Sequence, residues 1–128
     1  MLRNKFAVVT GSNRGIGKSI IEKFASNGAN LFACSRKQDK TFSKFLNNLS
    51  EKNNIKIKEF FFDLSDDAAV KKNAEKICSV DENIDILVNN AGEIHTSIFL
   101  MNSIEKIRKI FETNFFGNAI LTQIILKK

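Results

Sequence analysis

Three glycines within seven residues, in Thr10-Gly-Ser-Asn-Arg-Gly-Ile-Gly17, are the first residues here whose type and spacing could do chemistry. They permit a tight turn, let a pyrophosphate approach the backbone, and seat a helix against the strand before it. The amino terminus of that helix would offer unpaired N–H groups and a positive dipole end to phosphate. The spacing G-x-x-x-G-x-G departs from the general dinucleotide fingerprint, and the segment lacks the lysine of a phosphate-binding P-loop. A glycine-rich turn that merely starts a helix is the alternative.

A second cluster, Cys34-Ser-Arg-Lys37, follows about 19 residues beyond Gly17. Dinucleotide folds place at this distance an acid that binds the ribose 2′-hydroxyl of NAD, or an arginine that accepts the 2′-phosphate of NADP. Here stand Ser35 and Arg36, with no carboxylate before Asp39. A carboxylate would repel a 2′-phosphate, whereas a guanidinium meets it with two charge-assisted hydrogen bonds. Arg14 could approach the same phosphate from the glycine turn. Two solvated surface arginines are the alternative, but the pattern favours NADP(H) over NAD(H). Asp63-Leu64 and Asn89-Asn-Ala-Gly92 complete the set. Asp63 could accept a hydrogen bond from an adenine amino group, or simply complement a helix dipole. Asn89 and Asn90 can tie neighbouring strand ends together, and Ala91 and Gly92 leave space for a ring against the backbone. Alone, Asn-Asn-Ala-Gly reads as a turn.

Short apolar runs place these clusters. Lys5–Thr10, Leu31–Cys34, Ile55–Phe62 and Ile84–Val88 read as strands. Helical spacing of Ile16, Ile20, Ile21, Phe24 and Ala25 predicts a helix over 15–27, closed by Gly28. Phe42, Phe45, Leu46 and Leu49 mark a second helix over 39–52, and Ser65 is the expected N-cap of a third reaching about Val80. A last helical stretch begins at Ser103, with a break expected near Asn114. The βαβαβαβα order predicts a doubly wound parallel sheet with helices on both faces, in one domain over 1–128. Every cluster then falls at the carboxyl end of a strand, where ligands of such sheets bind.

Composition limits the alternatives. With 43% hydrophobic and 27% charged residues in 128, the chain is an ordinary globular domain and not a disordered or low-complexity segment. Cys34 and Cys78 cannot make a disulfide framework or a metal site, and read as reduced core cysteines of a cytoplasmic protein. No apolar run is long enough to span a membrane, and the amino terminus does not read as a signal peptide. Residues 1–58 carry 12 basic and 3 acidic groups, yet without a lysine-arginine run or interleaved aromatics. A phosphate-bearing small ligand explains that bias better than nucleic acid. His95 has no evident acid or nucleophile partner, so a loop histidine is the simpler reading.

Taken together the motifs resemble the short-chain dehydrogenase/reductase family, over the whole chain. Thr10–Gly17 is similar to its T-G-x-x-x-G-x-G cofactor motif, Asp63 to its adenine-contacting aspartate, and Asn89–Gly92 to its strand-four signature. Asn114, in Thr113-Asn-Phe-Phe-Gly117, is similar to the helix asparagine of its catalytic tetrad. The resemblance implies a Rossmann-type fold and cofactor contacts from Gly11, Ser12, Asn13, Arg14, Gly15, Ile16 and Gly17. It also implies contacts from Ser35, Arg36, Asp63, Leu64, Asn90, Ala91 and Gly92. The arginines look like those of NADP(H)-dependent members, among them 3-oxoacyl-(acyl-carrier-protein) reductases, acting on a small carbonyl or alcohol substrate.

The chain departs from that family in one respect. The family's chemistry needs a serine and a Tyr-x-x-x-Lys motif, and this chain has no tyrosine. The tyrosine moves the proton at the carbonyl oxygen, the lysine lowers its pKa, and the serine orients the substrate. The chain is therefore expected to be the amino-terminal, cofactor-binding half of such a reductase, ending after about four strands and five helices and unable to reduce carbonyls alone. A non-catalytic nucleotide-binding module and an inactive remnant stay open as alternatives. Without a fifth strand, residues 85–89 are expected to leave an apolar sheet edge, and Ile120, Leu121, Ile124 and Ile125 an exposed helix face. Self-association through these is expected; the family's dimer, which packs helices four and five, implies the same for Ile104–Ile125.

Overall fold

Phe6–Thr10 is buried along its whole length and forms β1 of a computed structural model that describes residues 1–80 and 83–127. Lys128, the end of the expected domain, lies outside the described residues. After β1 come α1 (Gly15–Ser26), β2 (Asn30–Ser35), α2 (Lys40–Asn53), β3 (Ile57–Phe61), α3 (Asp67–Cys78) and β4 (Ile86–Val88). A 3-10 turn (Phe99–Met101), α4 (Ile104–Phe111), a π-helical segment (Glu112–Phe116) and α5 (Gly117–Leu126) complete the order. All strand pairs are parallel, in the order β3-β2-β1-β4.

The strands are apolar on both faces because both faces are covered. Val8, Phe32 and Cys34 point to one side, where they pack with Val70, Ala74 and Ile77 of α3 and Leu121 and Ile125 of α5. Ala7, Val9, Leu31 and Ala33 point to the other, against Ile21 and Ala25 of α1 and Phe42 and Leu46 of α2. Phe32 lies between Phe6 and Phe60, its ring centroid 5.8 Å from each. The register pairs Thr10 with Cys34, Ser35 with Phe61, and Val9 with Val88, so four strand ends share one rim.

The structure corrects four expectations. The cap of α3 is Asp66, whose carboxylate accepts from the Ala69 N–H at 3.0 Å; Ser65 is taken up by Asp63 instead. No break interrupts the last helical stretch: a π-helical turn absorbs the irregularity around Asn114, and α4 runs through it into α5. Ile16 leaves the apolar face of α1 and is 75% exposed, because it lines the open groove at the strand ends and not the core. The apolar face of α5 is not exposed. Leu121 and Ile125 are buried beside α3, and Ile120 and Ile124 pack on the same core, because α5 lies alongside α3 on the sheet. Among the described residues, exposed large apolar side chains cluster instead over Ile94, Ile98–Met101, Ile104, Phe111, Phe115 and Phe116, with Met1, Ile16 and Leu126 exposed apart from them.

Polar ties close the lower end of the sheet. Asp85 accepts from Lys5 Nζ at 2.7 Å and from the Phe6 N–H at 2.9 Å, joining the start of β1 to the approach to β4. The Lys5 hydrogen bond, then the Phe6 N–H, hold its carboxyl below the ordinary value of 3.8. A carboxyl depressed by folding stabilises the fold above its unfolded pKa, and that contribution disappears as pH falls through the folded one. Asp85→Asn should therefore lower the urea midpoint near neutral pH, with the gap to the native chain closing as pH falls through and below the ordinary carboxyl value of 3.8; a gap independent of pH would show that the charge of Asp85 contributes nothing.

Candidate functional site

The shared rim opens onto a trough of about 840 Å³. Its floor and walls come from the end of β1 and the turn after it, from Cys34–Lys37 after β2, from Phe62–Leu64 after β3, and from Asn90–Ile94 after β4, with Thr113 closing one side. A smaller cavity of about 350 Å³ lies at the opposite end of the strands, beside Phe6, Lys56 and Val80.

The trough depends on how closely two turns approach. Thr10 Oγ1 accepts from the N–H groups of Asn90 and Ala91, both at 3.0 Å, and itself donates to Val88 O at 3.4 Å. Asn90 Nδ2 returns the contact to Thr10 O at 3.1 Å and Gly11 O at 3.2 Å. Gly11 has φ +62°, and a Cβ there would lie 2.9 Å from the Ala91 Cα. A Cβ on Gly17 would lie 2.1 Å from Gly11 O, so only glycine lets α1 sit on the turn. Ser12 is fully buried, and both its N–H and its hydroxyl donate to Cys34 O, at 3.1 and 3.0 Å. The turn is thus fastened to β2 on one side and to β4 on the other.

Most of the expected residues meet here. Gly11, Asn13, Arg14, Gly15, Ile16, Ser35, Arg36, Asp63, Leu64, Asn90, Ala91 and Gly92 line the trough, whereas Ser12 and Gly17 lie beneath it as supports. Arg14 caps α1 without a side-chain hydrogen bond, so the first-turn N–H groups receive no acceptor from the cap. Nothing lies within 4 Å of where a Gly15 Cβ would be, which leaves open space over that helix end. Both features fit a phosphate at the amino terminus of α1. Arg36 is exposed at the rim, and Ser35 donates to Lys37 O at 3.2 Å. Burial pushes the Asp63 carboxyl up, but hydrogen bonds from the Ser65 N–H (2.9 Å) and hydroxyl (2.8 Å), with the charges of Arg36 and Lys109, outweigh it and hold it below its ordinary value. Burial pushes the Cys34 thiol up to about 12, so this trough-lining cysteine is no nucleophile near neutral pH.

Asn89 and Asn114 each bind a partner outside the glycine turn. Asn89 ties its strand end to a helix rather than to a neighbouring strand, donating to Thr122 Oγ1 at 3.0 Å. Asn114, in the π-helical segment, accepts from the Glu93 N–H at 2.6 Å and donates to Glu93 O at 2.8 Å. It clamps the chain just past Gly92. Sequence reasoning missed Thr10 as the hub and Glu93, Ile94 and Thr113 as lining residues. For Thr10 the signal was its place as the last residue of an apolar strand before glycine; for the others no local pattern marks them. Among the described residues no group of three or more metal-ligating side chains occurs.

The family description "short chain dehydrogenase" matches residues 5–128. The chain is 32% identical over 127 residues to the 3-oxoacyl-(acyl-carrier-protein) reductase FabG of Aquifex aeolicus, covering 99% of this chain and 51% of that one. It is 40% identical over 124 residues to a very-long-chain 3-oxoacyl-CoA reductase of Candida glabrata, covering 94% and 34%. The L-sorbose reductase of Gluconobacter frateurii, solved with NADPH and L-sorbose, superposes with a TM-score of 0.90 at 29% identity, covering 98% of this chain and 48% of that one. The chain thus spans about half the length, or less, of these relatives.

Thr10→Val keeps the shape of the hub but leaves the Ala91 N–H without its acceptor and the Asn90 N–H with only Val88 O, and should cost about 2 kcal/mol of unfolding free energy in urea. Thr10→Ser keeps the hydroxyl and should cost about 1 kcal/mol. Equal losses would mean that packing, not hydrogen bonding, joins the two turns.

Proposed function

The chain belongs to the short chain dehydrogenase family, and from that premise we propose that it forms the dinucleotide-binding part of an NADP(H)-dependent oxidoreductase acting on a small carbonyl or alcohol. The observation that carries this reading is the trough itself: a helix amino terminus with uncapped N–H groups at its centre, and Arg36 at its rim where a carboxylate would select NAD. In this reading Gly11, Asn13, Gly15 and Ile16 receive the pyrophosphate, and Arg36, Ser35 and Arg14 the 2′-phosphate. Asp63 and Leu64 border the adenine, and Asn90, Ala91 and Gly92 the second nucleoside. The cofactor, when bound, supplies or accepts a hydride. The chain's own part is to orient it, and Asn114 supports that by fixing the backbone after Gly92. The NADPH in the related L-sorbose reductase supports the cofactor choice, and the 3-oxoacyl reductases among the relatives support the substrate class.

With no tyrosine, the chain lacks the proton donor that the family uses at the substrate oxygen. We therefore assign it nucleotide binding without carbonyl reduction on its own. Cys34, a buried thiol in the core of the sheet, supports a reducing, cytoplasmic setting. Exposed Ile104, Phe111 and Phe115, on α4 and the turn after it, support self-association through that face. Light scattering should show assemblies larger than one chain, and a monodisperse monomer would contradict that part of the reading.

Arg36→Glu should weaken NADPH binding roughly tenfold to a hundredfold, by loss of charge-assisted hydrogen bonds, and leave NADH binding equal or tighter. An unchanged preference would remove Arg36 from the 2′-phosphate.

A further inference from the structure

The trough has two acids in its wall, Asp63 and Glu93. Asp63 follows β3 and Glu93 follows β4, and the order β3-β2-β1-β4 puts the glycine turn between them. Asp63 is already engaged, since its Oδ1 accepts twice from Ser65. Glu93 differs. Its Oε2 is shielded from solvent and has no hydrogen-bond partner among the described residues. A carboxylate oxygen withdrawn from water needs a donor or a cation to offset its desolvation. Its backbone is also fixed, because Asn114 holds both the N–H and the carbonyl of residue 93.

A role for Glu93 toward a ligand rests on the nucleotide reading proposed above. A pyrophosphate at the amino end of α1, with the adenosine toward Ser35, Arg36 and Asp63, leaves the β4 side of the trough for the nicotinamide nucleoside. The oxidised nicotinamide ring is a cation and the reduced ring is neutral. We infer that Glu93 is a specificity-determining residue that favours the oxidised nicotinamide cofactor, its carboxylate lying on the side of the trough that takes the charged ring. The attraction acts on one redox state only. A hydrogen bond from Glu93 to a ribose hydroxyl would instead stabilise both states alike, and the two cases separate cleanly in binding.

Glu93→Gln keeps the size of the side chain and removes its charge. Titrations of the native chain and of this variant with NADP⁺, NADPH and 2′,5′-ADP, which lacks the nicotinamide nucleoside, test the inference without any turnover. NADP⁺ affinity should fall about fivefold, NADPH affinity should change less than about twofold, and 2′,5′-ADP affinity should not change. Equal losses for NADP⁺ and NADPH, or no loss for either, would overturn the inference while leaving the nucleotide reading in place. Failure of the native chain to bind any of the three would overturn the nucleotide reading first, and the inference with it. Should the variant lose 2′,5′-ADP as well, the native chain alone decides: its NADP⁺ to NADPH affinity ratio must fall with rising salt if charge attraction sets it, and a constant ratio overturns the inference.

Discussion

Two turns of this chain meet so closely that no side chain fits between them. Gly11 faces the backbone of Ala91, Gly17 faces the carbonyl of Gly11, and a single threonine hydroxyl receives the two N–H groups that the second turn presents. This contact joins residues 80 apart in sequence. It sets the height at which α1 begins, and therefore where its uncapped N–H groups open into the trough. The buried Ser12 repeats the arrangement on the other flank, with two donors on one carbonyl of β2. Small or internally bonded residues at this contact leave the backbone of the turn open to the trough.

The trough is also asymmetric in charge. Arg14, Arg36 and Lys37 lie toward the ends of β1 and β2, whereas Glu93 lies beyond β4. The charges of Arg36 and Lys109 both act to hold the Asp63 carboxyl below its ordinary value. The basic bias of the first 58 residues, without meaning for the fold, acquires a place in this arrangement.

The strands and the clusters at their ends were legible because each is a local pattern: an apolar run bounded by glycine or a polar turn. Asp39 as cap of α2 and Asn54 past its end follow the same local rules. What was not legible depended on tertiary packing. Ser65 and Asp66 are equally good caps on paper, and Asp63 decides between them by engaging Ser65. The apolar face of α5 read as exposed because its partner, α3, lies about 50 residues earlier in sequence. Ile16 carries the helical spacing of a core residue but sits on the first turn of α1, where it lines the open trough. Glu93 has no motif at all; it gains its place from Asn114, whose π-helical turn no periodicity predicts.

We propose that the strand-end trough, and not the cavity at the other end of the sheet, receives a phosphorylated dinucleotide. Amide spectra of the ¹⁵N-labelled chain, recorded while NADPH is added, test it most directly. Saturable shifts are expected at Gly11, Gly15, Ile16, Ser35, Arg36 and Asn90–Glu93, with Lys56, Lys58 and Val80 unmoved. Shifts centred on the second set, or none at saturating NADPH, would contradict it.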